Sequence, residues 1–180
     1  CCENPQQTLE EQCSELAYHY GRSGNVGKAI EYLQRAGEQA MHRSARTEAS
    51  NHFAQALELV RTLPHTTTRI NQELQLLIVM GAALTASKGY RDAEVERVYE
   101  EVRELLPQAE ETPQLIPVLM GLWRFTSVRG EYQTAHAIAG RLRQLTQGLQ
   151  ETAVLLPAHF ALGYSSFRLG QFHEAREHLE

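Results

Sequence analysis

A single aspartate stands among 180 residues, against 21 glutamates and 15 glutamines, and there are only six prolines. Turn-formers are scarce while helix-formers abound, a balance that starves loops and strands and favours an all-α chain. No apolar run approaches the roughly 18 residues that a membrane-spanning helix needs. The longest candidate, LQLLIVMGAALTA from Leu74 to Ala86, is bounded by Gln, Glu and Lys and reads as a buried helix, so no membrane partner is expected. Positive charge is in deficit too: the formal net charge is −5 and the pI about 5.9. Nucleic-acid-binding domains usually carry a basic patch and a pI above about 9, so no nucleic-acid partner is expected and only a local basic face is left open.

Cysteine is as sparse. Cys1, Cys2 and Cys13 form no zinc-ligand spacing with the histidines, and an odd number gives no disulfide framework. The chain reads as a reduced, cytoplasmic protein without metal or cofactor. Its first residues offer no Met, no basic region and no apolar core of a signal peptide, so it reads as a fragment excised from a longer chain. A length of 180 residues fits one domain or a few stacked repeats.

Catalytic motifs are missing in the same way. GRSGNVGKA, Gly21 to Ala29, looks like a phosphate-binding loop, which needs Gly, four residues, then Gly-Lys-Ser/Thr after a buried strand. Counting back from Gly27-Lys28 puts Arg22 where the first glycine belongs, and Ala29 takes the place of the magnesium-holding hydroxyl. The preceding segment carries Leu9, Cys13, Leu16, Ala17 and Tyr20 at helical spacing, so no strand leads in. His173 and His178 are five residues apart, about 500° round a helix, which spoils the alignment of a two-histidine ligand pair. The other six histidines have no Cys or Asp at metal spacing and read as exposed or satisfied helical residues. The glutamates of EVERVYEEVRE, Glu94 to Glu104, read as a solvated face with i, i+3 support from Arg97 and Arg103. No Gly-x-Ser-x-Gly elbow appears, and Cys13 lacks an activating partner nearby. No catalytic residue is expected, and Trp123 and Phe125 read as core.

What the chain does contain is a repeat. Glu111–Gly140 lies over Glu151–Glu180 at a constant offset of 40, with seven of thirty positions identical. Those seven are Glu111/Glu151, Thr112/Thr152, Leu115/Leu155, Pro117/Pro157, Leu122/Leu162, Gly130/Gly170 and Ala135/Ala175, and Tyr132/Phe172 adds a matched aromatic. Gly24-x4-Ala29 has the form of Gly130-x4-Ala135 and Gly170-x4-Ala175. Each glycine stops a helix and each alanine lets the next helix approach closely. Read with these stops, the sequence gives helices near 8–21, 26–43, 46–62, 68–87, 92–107, 113–129, 132–147, 152–169 and 172 onward. Linkers RTLPHTTTR and LPQAEETP carry prolines at helix ends, and Pro117 and Pro157 fall in the opening turns of their helices. Neither linker is long enough to divide domains, so residues 1–180 read as a single repeat domain.

LAYHYGRSGNVGKAIEYLQRA, Leu16 to Ala36, resembles a tetratricopeptide repeat, with Leu16 and Ala17 at the apolar and small pair, Tyr20 at the aromatic and Gly24 at the turn. LWRFTSVRGEYQTAHAIAGRL and ALGYSSFRLGQFHEAREHL resemble it again. With ASKGYRDAEVERVYEEVREL and ETPQLIPVLMGLWRFTSVRGE, the chain is similar to the repeat-rich C-terminal region of large bacterial signalling ATPases of AAA or STAND type, often fused to cyclase or kinase domains. The repeat length of 40 exceeds the family's 34 or so, and the N-terminal half reads as irregular. The resemblance implies an α-solenoid of about eight or nine helices in stacked antiparallel hairpins, working as a non-catalytic protein-interaction scaffold. The first helix of each pair would line a groove, which places Tyr18 and Arg22, Arg124 and Val128, and Tyr164 and Arg168 on the binding face. Its occupant would be a protein or peptide segment, or another domain of the parent chain. The alternative is a self-association module that makes a homo-oligomer and brings attached catalytic domains together.

Overall fold

The computed structural model describes residues 5–22, 24–147 and 152–179. Among them all regular structure is helical: α1 (Pro5–Arg22), α2 (Val26–His42), α3 (Arg46–Arg61), α4 (Thr67–Lys88), α5 (Ala93–Leu105), α6 (Ile116–Val128), α7 (Tyr132–Leu145), α8 (Thr152–Arg168) and α9 (Phe172–Leu179). Short 3-10 turns cover Leu106–Gln108 and Pro113–Leu115. These helices match those expected from the sequence to within three residues at each end, except at the C-terminal end of α9, for which no end was set. The largest differences are at α1, which begins earlier, and at α6, whose first expected turn is the second 3-10 turn.

The chain divides into two compact units, Cys1–Ala109 and Glu110–Glu180. In the first, α1 to α5 each pack on their neighbours in sequence; in the second, α6 to α9 do so, and α6 also touches α8. Leu33, Phe53, Leu57, Leu74 and Leu77 fill the first core, and Leu119, Leu122, Trp123, Phe125 and Leu142 the second.

One corner recurs. Gly24, Gly130 and Gly170 sit at φ of 78°, 81° and 79°. The next residue's N–H reaches back five positions, Asn25 to the Tyr20 carbonyl at 3.0 Å, Glu131 to Thr126 at 3.0 Å and Gln171 to Ser166 at 2.9 Å. Each bond satisfies a carbonyl that the helix end leaves without a partner. Five residues after each glycine comes a buried alanine, Ala29, Ala135 or Ala175. Gly24 therefore joins two helices and does not follow a strand.

The same corner turns α2 into α3 without a glycine. Ser44 takes φ of 62°, the Ala45 N–H bonds the Ala40 carbonyl at 2.9 Å, and Ala49 is fully buried five residues on. The N-terminal half is thus more regular than its sequence suggests, because a serine hides one of the stops. Between α2 and α3 the helices touch at Gly37, where a Cβ would stand 2.5 Å from Phe53 Cε1.

Three helices of the first unit are tied by charge. Glu73 on α4 is almost wholly buried and accepts from Arg61 Nε of α3 and from Arg69 Nη2 of its own helix, both at 2.9 Å. Arg61 also pairs with Glu101 of α5. Two expectations are corrected here. Glu94 pairs with Lys88, and Arg97 bonds the Ala93 carbonyl, so the supposed Glu94–Arg97 pair is replaced by bonds to groups that helix periodicity does not reveal. Pro157 lies inside α8, because that helix runs unbroken from Thr152, whereas Pro117 sits at the start of α6 behind a 3-10 turn.

Two sets of substitutions test this frame. Gly130→Ala meets no side chain, so its cost is the backbone term alone, about 1–2 kcal/mol, and Ser44→Gly should stabilise by up to about 1 kcal/mol. Urea denaturation checks both signs. Glu73→Ala leaves two guanidiniums without their shared carboxylate and should cost about 3 kcal/mol by the same measurement.

Candidate functional site

In the first unit the expected groove residues stand one turn apart on α1. Tyr18 is 61% exposed, and Arg22 Nη1 donates to its hydroxyl at 3.3 Å with the guanidinium 5.7 Å from the ring centroid. Both line a cleft of about 420 Å³ with Ala17 and Gly21, Leu33 of α2, and Gln55, Glu58 and Leu59 of α3. Its floor is apolar, and its rim carries one cation and one carboxylate.

The second unit repeats the pair. Tyr164 and Arg168 of α8 hold the positions relative to Gly170 that Tyr18 and Arg22 hold relative to Gly24. Arg168 Nη1 donates to the Tyr164 hydroxyl at 3.4 Å, and the guanidinium also bonds the Tyr132 hydroxyl and lies 4.3 Å from that ring's centroid. Arg124 and the 57% exposed Val128 occupy the equivalent places on α6. The α6–α8 register is fixed beneath them. Trp123 Nε1 donates to Ser165 Oγ at 2.9 Å, Ser165 in turn donates to the Ala161 carbonyl at 2.8 Å, and the indole meets Phe160 and Tyr164 edge-on. Buried donors are thereby satisfied.

All six expected residues lie on first helices of their hairpins, two in the first unit and four in the second. Among the described residues, Arg22, Arg124 and Arg168 pair with no carboxylate. Sequence reasoning missed Phe160, which is 51% exposed beside Tyr164, and Tyr132, which brackets Arg168 from α7. The i−4 spacing of Phe160 from Tyr164 was a legible signal; the approach of Tyr132 across helices was not.

No convergent titratable set accompanies this surface. Among the described residues no group of three or more His, Cys, Asp or Glu could hold a metal ion. Burial pushes the Cys13 thiol up, against the opposing charge of Arg35, so it is no ready thiolate. Burial also holds His52 and His159 below the ordinary imidazole range, His52 despite Glu48 and with help from Arg43, His159 with help from Arg143 and His178.

These shifts fix a sign. A histidine whose folded pKa is lowered binds its proton more readily in the unfolded chain, so stability is intact above the unfolded value of about 6.5 and falls as pH drops through it. Melting temperature should decline between about pH 7 and pH 5, and His52→Gln should flatten that decline.

No family model matches the chain. An uncharacterized protein of Rhizobium meliloti (strain 1021) is 25% identical over 168 residues, 92% of this chain and 16% of that protein, so the chain spans about a sixth of its relative's length. Among solved structures, a Podosopora anserina putative kinesin light chain with nearly identical TPR-like repeats aligns at TM-score 0.51 and 19% identity, over 99% of this chain and 94% of that one. BtubC (BKLC) from P. vanneervenii aligns at TM-score 0.48 and 14% identity, over 98% and 89%. The fold is all-α and of the TPR-like helical-repeat class.

Proposed function

We propose that residues 1–180 form one non-catalytic repeat domain that binds a protein segment along the exposed face of its first helices. The observation that carries this reading is the recurrence of a Tyr–Arg pair at equivalent corners of both units, Tyr18 exposed and Tyr164 half-buried, with exposed guanidiniums that no described carboxylate neutralises. Tyr and Arg are enriched among the residues that dominate binding energy, and a guanidinium already stacked on a ring loses little freedom on binding. The favoured segment is acidic with apolar side chains, matching Arg124, Arg168, Phe160 and Val128. The resemblance to signalling ATPases extends the proposal to a cytoplasmic regulatory region of a bacterial multidomain ATPase or cyclase, with the resemblance as its support. Peptides selected from a random display library against the chain should lose affinity about tenfold or more, 1.4 kcal/mol, in the Arg124→Glu, Arg168→Glu double variant. Unchanged affinity for every selected peptide overturns the reading.

A second reading, self-association, is favoured by one contrast. Phe167 and Leu179 are more than half exposed, while Ser127 and Ala139, their equivalents 40 residues earlier, are buried. A face that is covered in one hairpin is apolar and open in the next. Sedimentation should then show a monomer–dimer equilibrium that Phe167→Ser, Leu179→Ser abolishes; a monomer at all concentrations removes this reading.

A further inference from the structure

Away from the groove, α8 and α9 bring together two imidazoles 19 residues apart in sequence. His159 Nδ1 and His178 Nδ1 are 3.2 Å apart, with ring centroids at 5.3 Å and planes 57° from parallel. The close approach has a local cause. Gly163, one turn on from His159, leaves room for Leu179, which a Cβ there would meet at 2.6 Å, and His178 is the residue before Leu179. A hydrogen bond at this distance needs one Nδ1 to donate and the other to accept.

We propose that His159 and His178 form a two-imidazole chelate for a divalent late transition ion such as Zn²⁺, with water completing its coordination. Zinc binds imidazole nitrogen at about 2.0–2.1 Å, so two nitrogens on a tetrahedral ion lie about 3.3–3.4 Å apart. The observed separation of 3.2 Å lies close to that bite. Imidazole suits Zn²⁺, Cu²⁺ and Ni²⁺, and ligation through both Nδ1 atoms moves the shared hydrogen to the Nε2 position of its own ring, with no net proton release from a neutral pair. The Arg143 guanidinium of α7 acts on His159 and opposes a dication, which sets the site toward weak affinity. The ion would clamp α9 to α8.

The test is calorimetric titration of the chelator-treated chain with ZnCl₂, read alongside the imidazole nitrogen resonances. Binding at 1:1 that shifts the Nδ1 signals of His159 and His178 is expected. His159→Ala and His178→Gln should each weaken it at least about tenfold, a scale that even lost supporting contacts reach at metal sites. His173→Ala, on the exposed side of α9, should leave it unchanged, and Arg143→Gln should tighten it. His178→Gln lies in the last turn of α9, so helical content measured by circular dichroism separates lost ligation from lost packing. Equal binding in the His159, His178 and His173 variants, or Nδ1 signals that do not move, overturns the proposal.

Discussion

The structure depends on how a helix end is reversed within about five residues. A left-handed residue lets the following N–H reach back to a carbonyl the helix has abandoned, and an alanine five positions on admits the next helix at close range. Four corners meet this requirement, at Gly24, Ser44, Gly130 and Gly170, and all four alanines are buried. Everything else follows from closeness at the corner. Only helices held this near can bury Phe53 against Gly37 or let Leu179 seat over Gly163. Large side chains such as Leu33, Leu77 and Trp123 are buried between the helices.

The Tyr18–Arg22 and Tyr164–Arg168 pairs add little to that frame. A cation over a ring at the surface contributes about 0.5–1 kcal/mol, against the several kcal/mol that buried Phe and Leu supply. Their effect is on geometry. Arg168 is bracketed by Tyr132 and Tyr164, so its planar fork is fixed before any partner arrives, whereas a free arginine would lose rotamer entropy on binding. The Arg61–Glu73–Arg69 cluster has the opposite character: it is stabilising only while complete, and it ties α3 to α4 around a carboxylate that is almost wholly buried.

The sequence made legible what is local. Glycine stops and helical periodicity placed nearly every helix, and the offset of 40 predicted that α6–α7 and α8–α9 would share their corners, which they do. Ser44 escaped because a serine forced into the left-handed region leaves no mark in the sequence; only its buried alanine five residues on hints at it. The pairing of Arg61 with Glu73 and Glu101, that of Lys88 with Glu94, and the meeting of His159 with His178 escaped for a different reason. They depend on the rotation of one helix against another, which within-helix spacing does not contain. Tyr18, Arg22, Arg124, Val128 and Arg168 were legible as exposed positions relative to a glycine, whereas the approach of Tyr132 to Arg168 came from a neighbouring helix.

First-helix faces are where we propose that a partner sits. Amide and side-chain resonances recorded during titration with a selected peptide test it most directly, because they report every face at once. Shifts concentrated on Tyr18 and Arg22 or on Arg124, Phe160, Tyr164 and Arg168 are expected, with the outer sides of α2 and α7 silent. Shifts confined to α2, α7 or α9, with those residues unmoved, would contradict it.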